Sequence, residues 1–206
     1  RPEALCLAAG ILNDVGRYEE AEKLLGDPSG LTVPWNARGW VELGRAYGGL
    51  GFADQAADAL RRAIAAEPTK AEHHHSLARQ LMDDQQWDAA ADALRQALAL
   101  EPSRPDWHME LGQIYESAGQ PDLAAEEYYL ALAGQVEDAA VWYRMGRAHA
   151  AGGKHQAAVQ ALSEAVRLAQ DPPAAWYAAL GSSLEAARQF ESARAAYQQA
   201  VELAPE

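Results

Sequence analysis

Three consecutive histidines, His73, His74 and His75, are the residues whose type first suggests chemistry. Imidazole nitrogens are common metal ligands, so such a run could be a zinc site. Adjacent residues of a helix point about 100° apart, however, so three in a row cannot converge on one ion. The single cysteine, Cys6, has no second thiol to complete a zinc site. We therefore expect a packing role for His74, no metal site and no cofactor.

The sequence also has none of the patterns that bring a nucleophile, a base and a phosphate or oxyanion site together. It contains no glycine-rich phosphate loop, no H-E-x-x-H pair and no recognisable pairing of a nucleophile with a base. We predict that this segment is not an enzyme, a prediction that does not extend to other parts of a longer protein.

The elements that position these side chains follow from a pattern that recurs about every 34 residues. The pattern is a large apolar residue, a small residue and, three positions later, another large side chain. The small residues are Gly44, Ala78, Gly112, Gly146 and Gly181. A repeat of this length indicates a stack of one supersecondary unit. Apolar residues at the spacing of a helical face divide each repeat into two helices, and Gly48, Gly49 and Gly51 are expected to break the first helix near residue 50.

The repeats divide the chain into one array over residues 1–206. Their bounds are 2–35, 37–70, 71–104, 105–138, 139–173 and 174–206. The first repeat is degenerate, and its second helix is predicted to end near Leu25, with a loop to Pro34. The small residues let paired helices approach closely, so a large side chain there would overpack the contact at a typical cost of about 1–3 kcal/mol.

One repeat carries nine residues that resemble a tetratricopeptide repeat signature. These are Trp40, Leu43, Gly44, Tyr47, Gly51, Ala56, Leu60, Ala63 and Pro68. The resemblance covers essentially all 206 residues, with departures at Ala78, at His74 and at Val136, where a proline would close the fourth repeat. It implies an all-α fold, a right-handed α-solenoid of about six helix-turn-helix repeats. It also implies a concave groove, lined mainly by the first helix of each repeat, that holds a peptide or a partner helix.

The residue after each small one is expected to face this groove. Three of the middle four members of that row are Arg45, Arg79 and Arg147, in a chain with a formal net charge of -13. Their guanidinium groups could pair with carboxylates or phosphates of a ligand. Alternatively, Glu42 and Arg45 neutralise each other at i, i+3 and the other charges are solvated. The candidate groove residues are Glu42, Arg45, His75, Arg79, Glu110, Gln113, Tyr143, Arg144 and Arg147.

Arg144 and Arg147 are the best local candidates, because no acid lies three or four residues away on their face. Some members of the family recognise a C-terminal carboxylate with a lysine and asparagine clamp. The lysines of this chain fall outside the groove rows, so that mode of binding is disfavoured. Three tryptophans near repeat junctions are expected in the core rather than as exposed anchors. They are Trp35, Trp107 and Trp176.

The composition limits the classes of partner. The 30 acidic residues against 17 basic ones oppose general binding to nucleic acid or to anionic membrane surfaces. No run of about 18 apolar residues is present, so insertion into a membrane is not expected. One cysteine is compatible with a reducing compartment, which favours the cytoplasm. Alanine- and arginine-rich usage with three lysines suggests a bacterial protein from a GC-rich genome.

These observations favour a non-catalytic scaffold that binds a protein or peptide, with acidic groups on the partner. Because the chain begins at Arg1, we expect a segment of a larger protein. One alternative is a module that self-assembles into a homo-oligomer through the array ends, where Tyr197 and Val201 could present an uncovered apolar face. Another is an accessory domain of a larger enzyme such as a glycosyltransferase.

Overall fold

The fold is known from a computed structural model, which describes residues 2–25, 36–133 and 138–204. Every regular element in these ranges is an α-helix. The helices are α1 (Pro2–Asp14), α2 (Tyr18–Leu25), α3 (Ala37–Gly49), α4 (Ala53–Ala66), α5 (Ala71–Asp83), α6 (Trp87–Leu100), α7 (Pro105–Ser117), α8 (Pro121–Leu132), α9 (Ala139–Ala151), α10 (His155–Leu168), α11 (Ala174–Ala186) and α12 (Phe190–Leu203). Trp35, Val136 and the loop expected between Leu25 and Pro34 lie outside the described residues.

The helices fall into two compact units. The N-terminal unit, Arg1–Ser103, contains α1 to α6, and the C-terminal unit, Arg104–Glu206, contains α7 to α12. Within each unit, the two helices of a hairpin pack closely against one another. Each second helix also packs on the first helix of the next hairpin of that unit. The all-α hairpin-repeat fold expected from the sequence is therefore confirmed within both units. None of the helices in the described ranges is long and apolar enough to cross a membrane.

The turn inside each hairpin is closed by one residue in the left-handed region. After α3, Gly51 has φ +81°, its N–H donates to the carbonyl of Gly48 (3.0 Å), and the Phe52 N–H donates to the carbonyl of Tyr47 (2.8 Å). This pair of bonds is a Schellman motif, which satisfies the last carbonyls of the helix. The expectation that Gly48 and Gly49 break the helix was wrong. Both belong to α3, because a glycine inside a helix costs only about 1 kcal/mol relative to alanine.

The small residues of the repeat let the two helices of a hairpin touch. A Cβ on Gly44 would lie 2.8 Å from Cγ of Leu60, and one on Gly112 would lie 2.6 Å from the ring of Tyr128. Carbon atoms in contact are normally about 3.5–4.0 Å apart, so a methyl group does not fit without movement. Ala78, which takes the equivalent place in α5, is fully buried. The packing role predicted for these small residues is confirmed.

The degenerate first repeat is a short hairpin with its own core. α2 ends at Leu25, as predicted, and Ala21 and Leu25 are both buried. They belong to a cluster with Ala9, Leu43 and Ala46 that joins the first two hairpins of the N-terminal unit.

Candidate partner-binding faces of the first helices

In the N-terminal unit, side chains from helices α1 to α5 surround a mostly polar cavity of about 470 Å³. It brings together three residues that the sequence proposed for partner binding, Arg45, His75 and Arg79. The other polar side chains of its wall are Asn13, Tyr18, Ser76, Gln80 and Asp83. Its volume lies within the range of about 300–1,000 Å³ that is usual for ligand-binding clefts. It is therefore the candidate site of this unit, and the charges around it decide what it can bind.

Arg45 is already engaged by two carboxylates. Its guanidinium donates to Asp14 Oδ1 (2.6 Å) and to Glu42 Oε2 (3.2 Å), and the hydrogen bond to Asp14 is the main cause that raises the pKa of Arg45. Glu42 is only 7% exposed and also accepts a hydrogen bond from the Asn13 side-chain amide (3.1 Å). The same amide donates to the Glu42 carbonyl (2.9 Å). This geometry fits the alternative in which Glu42 and Arg45 neutralise each other. Their contacts with Asn13 and Asp14 tie α1 to α3.

Arg79 differs from Arg45 because its charge is not neutralised. Its side chain is exposed at the cavity, and within the described residues it makes no ion pair or hydrogen bond. Asp83, one turn further along α5, lines the same cavity without pairing with it. His75, one turn earlier, is half-buried. Arg79 is thus the guanidinium of this cavity with donors available to a ligand.

The other two histidines of the run have packing roles. His73 is 5% exposed, with Nε2 3.2 Å from Oε2 of Glu67, and His74 is 7% exposed, with Nε2 3.2 Å from the carbonyl of Pro68. Both rings hold the start of α5 against the turn that precedes it, which confirms the packing role predicted for His74. Among residues 2–25, 36–133 and 138–204, no group of three or more His, Cys, Asp or Glu side chains could hold a metal ion.

In the C-terminal unit, the two arginines favoured by the sequence share one carboxylate. Glu116 of α7 lies 3.9 Å from Nη1 of Arg144 and 3.4 Å from Nη2 of Arg147, measured to its carboxylate oxygens. No acidic residue lies three or four residues from these arginines in the sequence. Their acidic partner comes instead from the preceding hairpin. Spacing within one helix does not reveal this acid, because stacked hairpins bring together residues about one repeat apart.

Glu116 and the arginines form part of a wider network. Tyr128 donates its O–H to Glu116 (2.9 Å), and burial, with the nearby Glu116 charge, raises the pKa of Tyr128. Tyr143 stacks on Trp176 with ring centres 4.8 Å apart, and the Arg147 guanidinium lies 5.9 Å from the centre of the Tyr143 ring. Tyr143, Arg144 and Arg147 thus each make a contact within this unit, and the two arginine side chains are 41% and 53% exposed.

The remaining residues named from the sequence differ in how deeply they are buried. Glu110 and Gln113 lie half-buried on α7, and Trp176 is half-buried in its stack on Tyr143. Trp107 is 1% exposed, which confirms its predicted place in the core.

Two residues that the sequence analysis missed, Glu116 and Tyr128, had a signal in the repeat. A glutamate four positions after the small residue is followed, twelve positions later, by a tyrosine, and the same pair recurs as Glu185 and Tyr197. Tyr197 donates its O–H to Glu185 (3.0 Å), as Tyr128 does to Glu116. Where the repeat has a leucine in place of the tyrosine, as at Leu60, no glutamate is present. The two residue types therefore occur together because one bonds the other.

Models of the tetratricopeptide repeat match residues 37–70, 75–140, 131–175 and 143–206, which is well over half of the chain. The hairpins, their small contact residues and these matches define the class: this chain belongs to the tetratricopeptide repeat family. No curated protein matches it.

Several solved structures have the same fold. The C-terminal part of a TPR repeat-containing protein from Cytophaga hutchinsonii is 15% identical, covers 100% of this chain and 84% of its own, and has a TM-score of 0.78. MamA from Desulfovibrio magneticus is 18% identical, with 81% and 94% covered and a TM-score of 0.70. YrrB, described as a TPR protein with an unusual peptide-binding site, is 17% identical, with 83% and 88% covered and a TM-score of 0.72. At these identities the likeness shows the fold alone.

Proposed function

We propose that this chain is a non-catalytic protein-interaction scaffold that binds an acidic peptide or partner segment through the cavity of its N-terminal unit. The observation that carries the proposal is Arg79, whose guanidinium reaches this cavity without an acidic partner among the described residues. Family membership supplies the architecture, and the binding role is argued from this site. The unusual peptide-binding site named for YrrB is consistent with the same general role.

The chemistry of Arg79 favours a carboxylate over other ligands. A guanidinium offers five N–H donors in a planar fork that matches a carboxylate with two parallel hydrogen bonds. Ser76 and Gln80 line the same cavity and can add hydrogen bonds to a neighbouring peptide group. Because the chain has a net charge of -13, its overall charge repels an acidic partner. Recognition of such a partner therefore depends on this local positive group.

In this proposal the two arginines of the C-terminal unit have an internal, structural role and do not contact the partner first. Arg144 and Arg147 are paired with Glu116, so a ligand carboxylate would have to replace that contact. Arg79 has no such contact to lose among the described residues. We therefore assign primary recognition to Arg79 and an internal role to the Arg144–Glu116–Arg147 group.

The experiment is a selection from a random-peptide phage library on the wild-type chain, with counter-selection on Arg79→Glu. Selected peptides are then measured by fluorescence anisotropy. We expect enrichment of Asp and Glu, and at least about tenfold weaker binding to Arg79→Glu, since a hydrogen bond to a charged group contributes about 1.5–3 kcal/mol.

The matched control is Arg61→Glu, which makes the same change of charge on α4. Arg61 is exposed, is paired with Asp58 (2.9 Å) and is not one of the residues that line the cavity. It should bind the peptides as the wild type does, and circular dichroism should show equal helix content for all three proteins. Peptides without acidic enrichment, or equal losses in the two variants, would remove Arg79 from the site.

A further inference from the structure

Helix α8 carries two large, exposed side chains where the other second helices carry small or charged polar ones. Tyr129 is 66% exposed and Leu130 is 44% exposed. The second helices align on a buried alanine, which is Ala124 in α8, and α2 ends before the two places compared. At the place of Tyr129, helices α4, α6, α10 and α12 have Arg61, Arg95, Ser163 and Gln198. At the place of Leu130 they have Arg62, Gln96, Glu164 and Gln199. Since both side chains of α8 are exposed, packing within the unit does not account for this change of type.

The change in α8 also removes the cation that an acidic residue of the same helix would pair with. In α4, Asp58 pairs with Arg61 (2.9 Å), and α6 has the same pair one repeat later. α2 has Lys23 at the place of the acid, and α10 and α12 have neither the acid nor the arginine. α8 instead keeps the acid, as Glu126, and has Tyr129 in place of the arginine. Glu126 is exposed, and within the described residues it makes no ion pair or hydrogen bond. α8 therefore presents an unneutralised carboxylate beside an exposed aromatic ring.

These side chains border a mostly apolar depression of about 620 Å³ between α8 and α9. Met145, which is buried, and Trp142, which is half-buried, line it from α9. Glu126 is the acidic residue among those that line it. The volume lies within the range of about 300–1,000 Å³ that is usual for ligand-binding clefts, and apolar surface with a polar rim marks interaction sites. We call Glu126, Tyr129, Leu130, Trp142 and Met145 the α8–α9 patch.

We propose that the α8–α9 patch is a docking site for a partner-protein segment that places a lysine or arginine beside a bulky apolar side chain. The cation pairs with Glu126 as Arg61 pairs with Asp58 within α4. The same cation can lie over the ring of Tyr129, an arrangement that stabilises cations on aromatic faces. The apolar side chain enters the depression and contacts Trp142. The net charge of -13 adds a longer-range attraction for a basic segment.

Charge complementarity favours this occupant over the alternatives. An acidic peptide would place a like charge against Glu126. A purely apolar cover would bury that carboxylate without a cation, which carries a large desolvation penalty.

The α8–α9 patch is a different site from the cavity of Arg79. The patch lies in the C-terminal unit, whereas the residues that line the cavity belong to the N-terminal unit. The two sites also have opposite charges, so they select partner segments of opposite charge. The docking proposed for the patch and the peptide binding proposed for the cavity can therefore fail independently.

The test selects peptides from a random-peptide phage library on the wild-type chain, with counter-selection on Tyr129→Arg. This variant gives α8 the acid and arginine pair of α4, and the counter-selection discards peptides that bind elsewhere on the chain. We expect the selected peptides to combine Lys or Arg with Leu, Phe or Trp. Synthetic copies are then measured by fluorescence anisotropy, in which Tyr129→Arg and Glu126→Lys should each weaken binding at least about tenfold.

A charge swap and a matched control identify the contact. A peptide in which the selected Lys or Arg is replaced by Glu should bind Glu126→Lys at least about tenfold more tightly than it binds the wild type. Ser163→Arg introduces the same residue as Tyr129→Arg at the equivalent place of α10, which does not line the depression. It should bind the peptides as the wild type does, and circular dichroism should show equal helix content for all variants.

Several results would overturn the proposal. They are the absence of any peptide that prefers the wild type to Tyr129→Arg, selected peptides without basic enrichment, and equal losses of binding in Tyr129→Arg and Ser163→Arg. Sedimentation equilibrium of the wild type and Tyr129→Arg tests the other occupant, a second copy of the chain. Self-association of the wild type that Tyr129→Arg abolishes would assign the patch to contacts between copies and would likewise overturn the proposal.

Discussion

Replacing Gly44 by alanine tests directly whether the small residues of the repeat set the helix–helix contact. A Cβ at this position would lie 2.8 Å from Cγ of Leu60 and 3.2 Å from the carbonyl oxygen of Ala56. Leu60 is 3% exposed and fills the core of its hairpin, so neither neighbour can move freely. The added methyl group must separate α3 from α4 or force Leu60 out of its preferred rotamer.

Two effects of known size act on this variant. Overpacking a core contact typically costs about 1–3 kcal/mol, whereas alanine in place of glycine inside a helix gains about 1 kcal/mol. The net expectation for Gly44→Ala is a loss of about 0–2 kcal/mol in the free energy of unfolding. Gly48→Ala is the matched control, since Gly48 lies one turn further along α3 and its Cβ would meet only the end of the flexible Gln80 side chain. It should gain up to about 1 kcal/mol from helix propensity.

The propensity term is common to both variants, so their difference isolates the overpacking. We expect the free energies of unfolding to differ by about 1–3 kcal/mol, with Gly44→Ala the less stable. Urea denaturation followed by far-ultraviolet circular dichroism measures this as a shift of midpoint at an unchanged slope. If the two variants had equal midpoints, the close approach at Gly44 would not be what holds the hairpin together.

Two further predictions concern the C-terminal unit. Burial lowers the pKa of His149 in the folded protein, so the unfolded chain binds the proton more tightly and stability is lost as pH falls below about 6.5. His149→Leu, which copies the buried Leu81 of an earlier repeat, should flatten that slope in urea titrations between pH 7 and 5, and an unchanged slope would assign it to other groups. Tyr128→Phe removes the hydrogen bond to Glu116 and should cost about 1–2 kcal/mol, because the bond is to a charged acceptor beside a buried ring. Tyr197→Phe removes the same bond at an exposed site and should cost less than about 0.5 kcal/mol in the same urea assay, so equal losses would count against burial as the cause.

The hairpins could be predicted because their signal is local. The spacing of small and large residues around Gly44 and Leu60 fixes which faces of two neighbouring helices meet, and alignment of the repeats placed His74 in the core. The end of α2 at Leu25 followed from the interruption of the same pattern. Gly48 and Gly49 misled the prediction of the turn, since glycine is tolerated within a helix and only Gly51 needs a left-handed conformation.

The charge pairs were less predictable because they join different hairpins. Glu42 pairs with Arg45 within one helix, which the i, i+3 spacing indicated. Asp14 reaches Arg45 from α1, and Glu116 reaches Arg147 from α7, and both contacts depend on how one hairpin is rotated on the next. Residue spacing within a helix contains no information on that rotation. The sequence alone could not show that Arg79, unlike Arg45, has no acidic partner among the described residues.

The most direct test of the proposed function is a double-mutant cycle between Arg79 and one acidic residue of a selected peptide. Arg79→Gln and a Glu→Gln change in the peptide are measured singly and together by fluorescence anisotropy. If the guanidinium binds that carboxylate, the two changes should be coupled by about 1–3 kcal/mol. Additive effects for every acidic residue of the peptide would show that Arg79 does not recognise it.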